Sequence, residues 1–494
     1  MPEFRLLVLA DMHFNPRVDA DPNNLARRAG LGAELIGRAA EDARRRGGFD
    51  AVAVLGDLLA DGSDGFADAD TAELLAELRS AAGDAPVMVL PGNHDFDGDR
   101  LPAGLDEPTR VRELGGYRFV LFSDQWESAK WGTRRPEDIR LLDEVAAKEG
   151  GPIVSLQHSP MNPRILHLYP YMLTNRRQVL RQYARSGVLL SVSGHYHKGQ
   201  ALNERDGVKY VTAAALCENP FDYLLIRLRG REVSVERGSL AVTPEMGLFD
   251  VHAHTEFAYC GRGIDAAGVV ARSREFGLTG VVLTEHAPQL YCSAEDFWAA
   301  RHVWEPDCWR RAGASRMAEF RAAMDAVRSG FVRVGLEVEL DAAGKLTVRD
   351  EDRAWADLLV GAIHWLAEDS ASLSDAELAR AFLRTSEAIL AAGVDVLAHP
   401  FRLFRWAGRA VPADLHAPLA GMLAATGTAA EINFHGNAPD PAFFACCLER
   451  GVKLALGTDT HVPAEAGSLS AHADLLRRIA GGVELGDILM PWPG

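Results

Sequence analysis

At 494 residues the chain is too long for one ordinary core, so two large domains are expected. Hydrophobic residues make up 48% and charged residues 24%, as in a globular protein that folds in water, and no apolar run is long enough for a membrane helix. The net charge of −17 repels polyphosphate backbones and argues against extended duplex DNA as a default partner.

That charge is uneven. The chain holds 30 basic and 35 acidic residues before Pro244, and 22 and 34 from it onward, so the halves carry −5 and −12. Residues 151–200 run against the trend, with six Lys or Arg and no Asp or Glu. The opening "MPEFRLLVLADMHF" reads as a strand ending in polar residues, with neither the basic start nor the small-residue cleavage site of a signal peptide. Cys217, Cys260, Cys292, Cys308, Cys446 and Cys447 show no framework spacing and read as reduced thiols of a cytoplasmic protein. Of 16 histidines, 11 fall in short motifs beside Gly, Asp, Asn or Pro.

Five polar motifs, four of them with histidine, occupy the first half in order: "LADMH" (Asp11, His13), "LGDLL" (Asp57), "PGNHD" (Asn93, His94, Asp95), "LQHSP" (His158) and "SGHYH" (His195, His197). Each follows a short apolar run that reads as a buried strand, and helices are expected between them over Asn24 to Arg46 and Thr71 to Ala82. The polar groups therefore sit at strand ends, on loops that can converge at one sheet edge. Their O and N donors suit Mn, Fe, Zn or a related divalent ion. One carboxylate shared by two such ions can hold them roughly 3.5–4 Å apart and activate water, which is what phosphoryl transfer needs. The tail "VKYVTAAAL…FDYLLIRLRGREVSVERGSL" reads as closing strands and a hairpin.

This ordered set, over roughly residues 4–240, resembles the calcineurin-like metallophosphoesterases. The resemblance implies a two-sheet αββα sandwich spanning residues 1–243. It places Asp11, His13, Asp57 and His197 on one metal, and Asp57, Asn93, His158 and His195 on the other, with Asp57 bridging. His94 falls where that family keeps a general acid, and Asp95 where its orienting partner sits. The "GNHD" wording is most similar to the phosphodiesterase and nuclease branches.

"AVTPEMG" (Ala241 to Gly247) is the only Pro-Gly punctuation before the second half. Strand-like runs then end in "FDVHAHT", "VVLTEHAP", "VGLEVEL", "GAIHWL", "VLAHPF", "AEINF" and "LALGTDTH". Helices are expected between several of them, over Ala312 to Ser329 and Asp375 to Ala392 among others. Repeated strand–helix units with polar groups at strand ends point to an α/β barrel.

These motifs, over roughly residues 248–494, resemble the polymerase and histidinol phosphatase (PHP) family. The resemblance implies a distorted (β/α)7 barrel over residues 247–494 and up to three metals. His252, His254, Glu337 and Asp459 would hold the first, and Glu337, His364 and His399 the second. His286, His461 and the residue six after His254 would hold the third. That residue is Cys260, where the family often has histidine; a zinc-ligating thiolate and a plain buried thiol both fit. "LTEHAP" leans toward the phosphomonoesterase branch.

After His399, "FRLFRW" offers Arg402 and Arg405 for a substrate phosphate, or for salt bridges. The Trp-rich stretch Leu290 to Arg311 could cover the site and stack on a flat substrate, or anchor a long loop or a domain interface. His167, His302, His416, His435 and His472 fit no motif and read as structural or exposed.

The expectation is a metal-dependent phosphoric ester hydrolase with two divalent metals (Mn, Fe or Zn) in the first half and two or three in the second. A diester opened by the first site leaves a monoester for the second, and the substrate would be small, phosphorylated or nucleotide-like. The alternative is a nuclease or end-processing factor in a repair or defence complex, for which residues 151–200 could guide a strand end.

Overall fold

Short apolar runs become buried strands in both halves, because their β-branched and leucine side chains pack on both faces of a sheet. The computed structural model describes residues 2–493 apart from 23, 106–109, 127–130, 165–171, 306 and 311–315. His167 and part of the basic window 151–200 therefore lie outside the described residues, as do Pro306 and Arg311 of the Trp-rich stretch. The chain divides into two units, Met1–Leu240 and Ala241–Gly494. Among the described residues no helix is long and apolar enough to cross a membrane.

The first unit contains two main sheets. One runs in the order Glu232–Ser239, Asp222–Arg229, Phe4–Leu9, Ala51–Leu55, Val87–Leu90. Its last three strands are parallel, and the closing hairpin adds antiparallel to Phe4–Leu9. The other runs Gln200–Arg205, Val208–Thr212, Val188–Ser193, Ile153–Gln157, Tyr117–Phe122, Val111–Leu114. Leu6, Val8, Ala53 and Leu55 of the first meet Phe119, Leu121, Leu156 and Leu190 of the second in one core. Helices Pro136–Ala147 and Arg176–Arg185 cover the far side of the second sheet through Leu142, Val145, Val179 and Leu180. Helices Gly32–Arg45 and Ala67–Ala82 pack on each other and on strands of the first. The layers are helix, sheet, sheet, helix.

Two helices differ from expectation. The one expected from Asn24 begins only at Gly32, after a 3-10 turn over Ala29–Leu31. The Asn24 side chain instead accepts the Ala26 N–H in a local turn, and Arg28 N–H donates to the Cys217 carbonyl. The one expected from Thr71 starts earlier, at Ala67, with Asp68 and Asp70 in its first turn.

The second unit has seven parallel strands paired in chain order: Phe249–Ala253, Gly280–His286, Val332–Val338, Leu358–Gly361, Val396–Leu397, Ala429–Asn433 and Leu454–Gly457. Asp459 N–H donates to the His252 carbonyl and Ala253 bridges to Thr460, which brings the last strand beside the first. The result is a nearly closed barrel, compatible with a distorted (β/α)7 architecture. Val251, Val282, Val360, Val396, Ala429 and Ala455 form its apolar cluster, with Phe249, Met490 and Trp492 packed against them. Helices fill the connections and begin where the sequence offers caps. Asp265 caps Ala266–Glu275, Ser374 and Glu377 form a capping box for Asp375–Ala391, and Asp440 precedes Pro441–Glu449. The helix expected from Ala312 is described over Met317–Val327; residues 312–315 of that expectation lie outside the described residues.

Candidate metal centres

In both units the strand ends turn sharply to aim polar side chains at one point. Asp11, His13, Asp57 and His195 have φ of 54°, 44°, 51° and 65°; His399 and Asp459 have 28° and 54°. Left-handed backbone at non-glycine residues is strained, and here it falls on proposed ligands. Gly92 lies so close to the Asp57 carboxylate that a Cβ would overlap it, and Gly457 stands in the same relation to Glu431.

The first constellation centres on Asp57, which is buried. Its Oδ2 lies 3.3 Å from His158 Nε2 and 3.6 Å from His13 Nε2. His158 Nε2 also lies 3.1 Å from Asn93 Oδ1 and 2.9 Å from His195 Nδ1. On the other side His13 Nε2 lies 3.2 Å from His197 Nε2, which is 3.6 Å from Asp11 Oδ1. All seven expected ligands of the first half thus converge. His158 Nδ1 donates to the Leu55 carbonyl at 2.6 Å and His197 Nδ1 to Glu218 Oε1 at 2.6 Å. In the neutral rings this leaves the Nε2 lone pairs facing other acceptors, an arrangement that suits cations. Burial opposes charge on His158, but the Asp57 and Asp11 carboxylates outweigh it and push its pKa up to about 10. A divalent ion at this place would answer the same field. Burial, helped by neighbouring positive groups, holds His13 and His195 well below the usual imidazole range, against the pull of Asp57.

His94 is half-buried, and its ring stands edge-on to His13 with centroids 4.6 Å apart. The expectation that Asp95 orients this ring is corrected by the structure. Both Asp95 oxygens accept backbone N–H groups, from Leu59 at 2.9 Å and Gly92 at 2.8 Å, whereas His94 Nδ1 donates to the Ala60 carbonyl at 2.9 Å. Asp95 is a staple between two ligand loops, and burial together with the Asp57 charge raises its pKa to about 7.

The second constellation centres on Glu337. Its Oε2 lies 2.6 Å from His286 Nδ1, 3.5 Å from His252 Nε2 and 3.7 Å from His254 Nε2. Its Oε1 lies 3.2 Å from His399 Nε2 and 3.6 Å from His364 Nε2. Asp459 Oδ1 lies 3.0 Å from His254 Nε2. The Nδ1 atoms of His252, His254 and His364 donate to Glu431, Glu285 and Glu339 at 2.8, 3.1 and 2.8 Å. His252 Nε2 is then a buried lone pair without a hydrogen-bond partner among the described residues. Against burial, His286, His252 and His364 hold the Glu337 carboxyl well below its usual range.

Cys260 sits beside the third group of donors, His254, His286 and His461. Its Sγ is 3.4 Å from His286 Nε2, and His461 Nδ1 donates to the Asp459 carbonyl at 2.6 Å. Burial opposes a thiolate here, but His286, His461 and His254 prevail and bring its pKa down to about 4. That environment favours the thiolate form, the form in which a cysteine would ligate a metal.

The two arginines separate. Arg402 is buried, and its Nη2 donates to Asp459, Asn433 and the His435 carbonyl at 2.6, 2.9 and 2.6 Å. Arg405 is exposed and is not among the residues around the adjoining pocket. Arg402 does line that pocket, a cavity of about 270 Å³.

Four supporting carboxylates went unremarked in the sequence. Glu285 and Glu339 lie inside "LTEHAP" and "LEVEL", beside the ligands His286 and Glu337, so an acidic residue next to a ligand was the available signal; Glu431 lies in "AEINF", a run with no proposed ligand of its own. Glu218 had no such signal. Two histidines read as structural or exposed also take part: His302 Nε2 lies 3.1 Å from Glu339, and His435 stacks on His461 with centroids 4.3 Å apart.

Residues 4–199 match the calcineurin-like phosphoesterase family. No curated protein matches the chain. Among solved structures, a dimetal phosphatase from Danio rerio is 19% identical with a TM-score of 0.38, the match covering 47% of this chain and 98% of that one. A protein described as a histidinol phosphatase from Listeria monocytogenes is 15% identical with a TM-score of 0.34, covering 44% and 97%. A 5′-nucleotidase from Candida albicans is 15% identical with a TM-score of 0.30, covering 48% and 51%. The sandwich and the loops that carry its candidate ligands agree with the family match: residues 4–199 are a calcineurin-like metallophosphoesterase domain.

Proposed function

We infer that the chain is a bifunctional phosphoesterase, whose first unit opens a phosphodiester and whose second, a PHP barrel, removes the phosphate that remains. The observation that carries this reading is the presence of two separate donor sets, each gathered around one buried carboxylate, Asp57 or Glu337.

In the first unit Asp11, His13, Asp57 and His197 would hold one ion, and Asp57, Asn93, His158 and His195 the second. In the barrel His252, His254, Glu337 and Asp459 would hold one and Glu337, His364 and His399 another, with His286, His461 and Cys260 for a third. Such ions supply positive charge to the phosphoryl oxygens and acidify the attacking water. The chain's own groups do the rest. Asp57 and Glu337 fix the spacing of the donors. Glu431, Glu285 and Glu339 hold their imidazoles in one tautomer. Water attacks phosphorus, the bond to the leaving oxygen breaks, and in the first unit His94 Nε2 hands that oxygen a proton. The water's own proton leaves to solvent. The products are a monoester and an alcohol, and then inorganic phosphate and a second alcohol.

The test is to incubate the Mn-loaded full chain with cyclic nucleotides, short oligonucleotides, sugar phosphates and nucleotide 2′-, 3′- and 5′-monophosphates, and to follow phosphate release. Release from monoesters, and slower release from at least one diester, is the expected result. A chain that liberates phosphate from no monoester would overturn the assignment of the barrel.

A further inference from the structure

Resting on the phosphomonoesterase reading of the barrel, we propose that its pocket selects a phosphomonoester whose alcohol part carries a planar aromatic ring, of the nucleoside monophosphate class. Trp298 and Trp406 would bind the ring, and Arg262 the phosphate.

The aromatic side of this argument begins with exposure. Trp298 and Trp406 are 57% and 56% exposed, large aromatic faces open to water, and both line the pocket beside His286, His364 and Cys260. They come from separate elements: Trp298 ends the short helix Ala294–Trp298, and Trp406 ends Arg402–Trp406. Neither is loosely placed. Trp298 packs edge-on against Phe297 at 5.2 Å, and buried Phe297 packs edge-on against Trp365 at 5.6 Å. Trp406 lies parallel to the His364 ring at 5.3 Å and 17°. Rigid aromatic faces left open to water beside polar ligands are what a flat ring needs to displace that water and stack. A sugar phosphate without a base would leave these faces wet. A volume of about 270 Å³ admits one small molecule and not a folded strand.

The phosphate side rests on Arg262. It lines the same pocket, its backbone N–H is tied to the His461 carbonyl at 2.8 Å, and it is exposed. Its guanidinium makes no hydrogen bond or ion pair among the described residues, in contrast to Arg402, which is committed to Asp459, Asn433 and His435. A guanidinium without an internal partner beside donors for divalent ions suits a bidentate grip on a phosphate.

The experiment compares adenosine 5′-monophosphate with ribose 5-phosphate on the Mn-loaded full chain, and reads binding separately as quenching of tryptophan fluorescence. The intact chain should favour the nucleotide by at least about tenfold in kcat/KM, the scale of one base stacked on an aromatic side chain. Trp298→Ala and Trp406→Ala should each lower that ratio several-fold, and Trp298→Tyr should largely restore it. Arg262→Ala should raise KM for both compounds together and leave their ratio in place. Equal turnover of the two compounds by the intact chain would overturn the aromatic selection while leaving the phosphatase reading standing. If neither compound is hydrolysed, the phosphatase reading fails, and the quenching decides the aromatic site alone. Quenching by the nucleotide that weakens in Trp298→Phe and Trp406→Phe supports it; absence of quenching refutes it.

Discussion

The two donor sets share a plan and differ in what stands behind it. Both lie at the ends of parallel strands, both twist the backbone into the left-handed region at ligands, and both gather imidazoles around one buried carboxylate. In the first unit the second nitrogens of His158 and His94 donate to backbone carbonyls of Leu55 and Ala60, and Glu218 stands behind His197. In the barrel three buried or nearly buried carboxylates, Glu431, Glu285 and Glu339, stand behind His252, His254 and His364. A carbonyl fixes a tautomer by geometry. A carboxylate fixes it and also makes the opposite nitrogen a stronger donor. The first centre is thus set by the shape of its loops, the second by buried charge, in keeping with the −5 and −12 of the two halves.

The sharpest way to break the comparison is to remove each central carboxylate. Asp57→Asn should abolish diester opening and spare phosphate release from monoesters. Glu337→Gln should do the reverse, and with a suitable diester it should accumulate the monoester. Mixing the two variants should then restore phosphate release. Loss of both activities in either folded variant would show that the centres are not independent.

A second contrast lies within the first centre, between adjacent residues. If His94 protonates the leaving oxygen, His94→Ala should cut diester turnover by roughly 10²–10⁴-fold with metal content intact. Asp95 accepts two backbone N–H groups and touches neither the His94 ring nor, on this reading, the substrate. Asp95→Ala leaves those donors buried and unpaired, at a cost of about 1–3 kcal/mol each, so its signature should be a lower Tm. A His94 variant that loses metal along with activity would make His94 a ligand instead.

The third contrast concerns the supporting groups. Glu339→Gln removes a charge from behind His364, and should weaken metal binding in the barrel by roughly 10–100-fold. Glu218→Gln should have a comparable effect on the first centre through His197. No side-chain substitution can do this behind His158, whose partner is a backbone carbonyl. On titration with a chelator the first unit should therefore release metal before the barrel; the opposite order, read by elemental analysis, would contradict the comparison.

What the sequence made legible follows from the same difference. Residues at the carboxyl ends of apolar runs could be read because strand alternation and short loops leave them one place to go; Asp11, His13, Asp57, His252 and His254 all lie there. The runs themselves pointed to loops converging at a sheet edge and to an α/β barrel; the αββα order and the count of seven strands came from the family resemblances. Helix starts were less legible: Asn24 bonds locally, and the tertiary bond from Arg28 to Cys217 outweighs helical propensity. Asp95 was misread because adjacency in sequence to His94 says nothing about which way a 3-10 turn points the carboxylate. Glu218 could not be found at all, since its distance in sequence from His197 is spanned by two strands, Gln200–Arg205 and Val208–Thr212.

The smallest expected effect belongs to Cys260. Cys260 near His286 and His461 would offer zinc a soft sulfur donor, where every other proposed ligand in either centre is nitrogen or oxygen. Cys260→Ser keeps the shape and removes the softness. On the proposed assignment the two ions that Glu337 would share would make no bond to this sulfur, so turnover with Mn should change only a few-fold. What should change is the count and the kind of metal: the barrel should bind one zinc fewer at equal free zinc, with Mn occupancy much less affected. Cys260→His should recover the count with a nitrogen donor. The first unit has no thiol among its expected ligands, so Asp57→Asn should alter its occupancy for Mn and Zn alike. If Cys260→Ser leaves zinc stoichiometry untouched, the sulfur is a packing group, and the pull of His286 and His461 on it serves no ion.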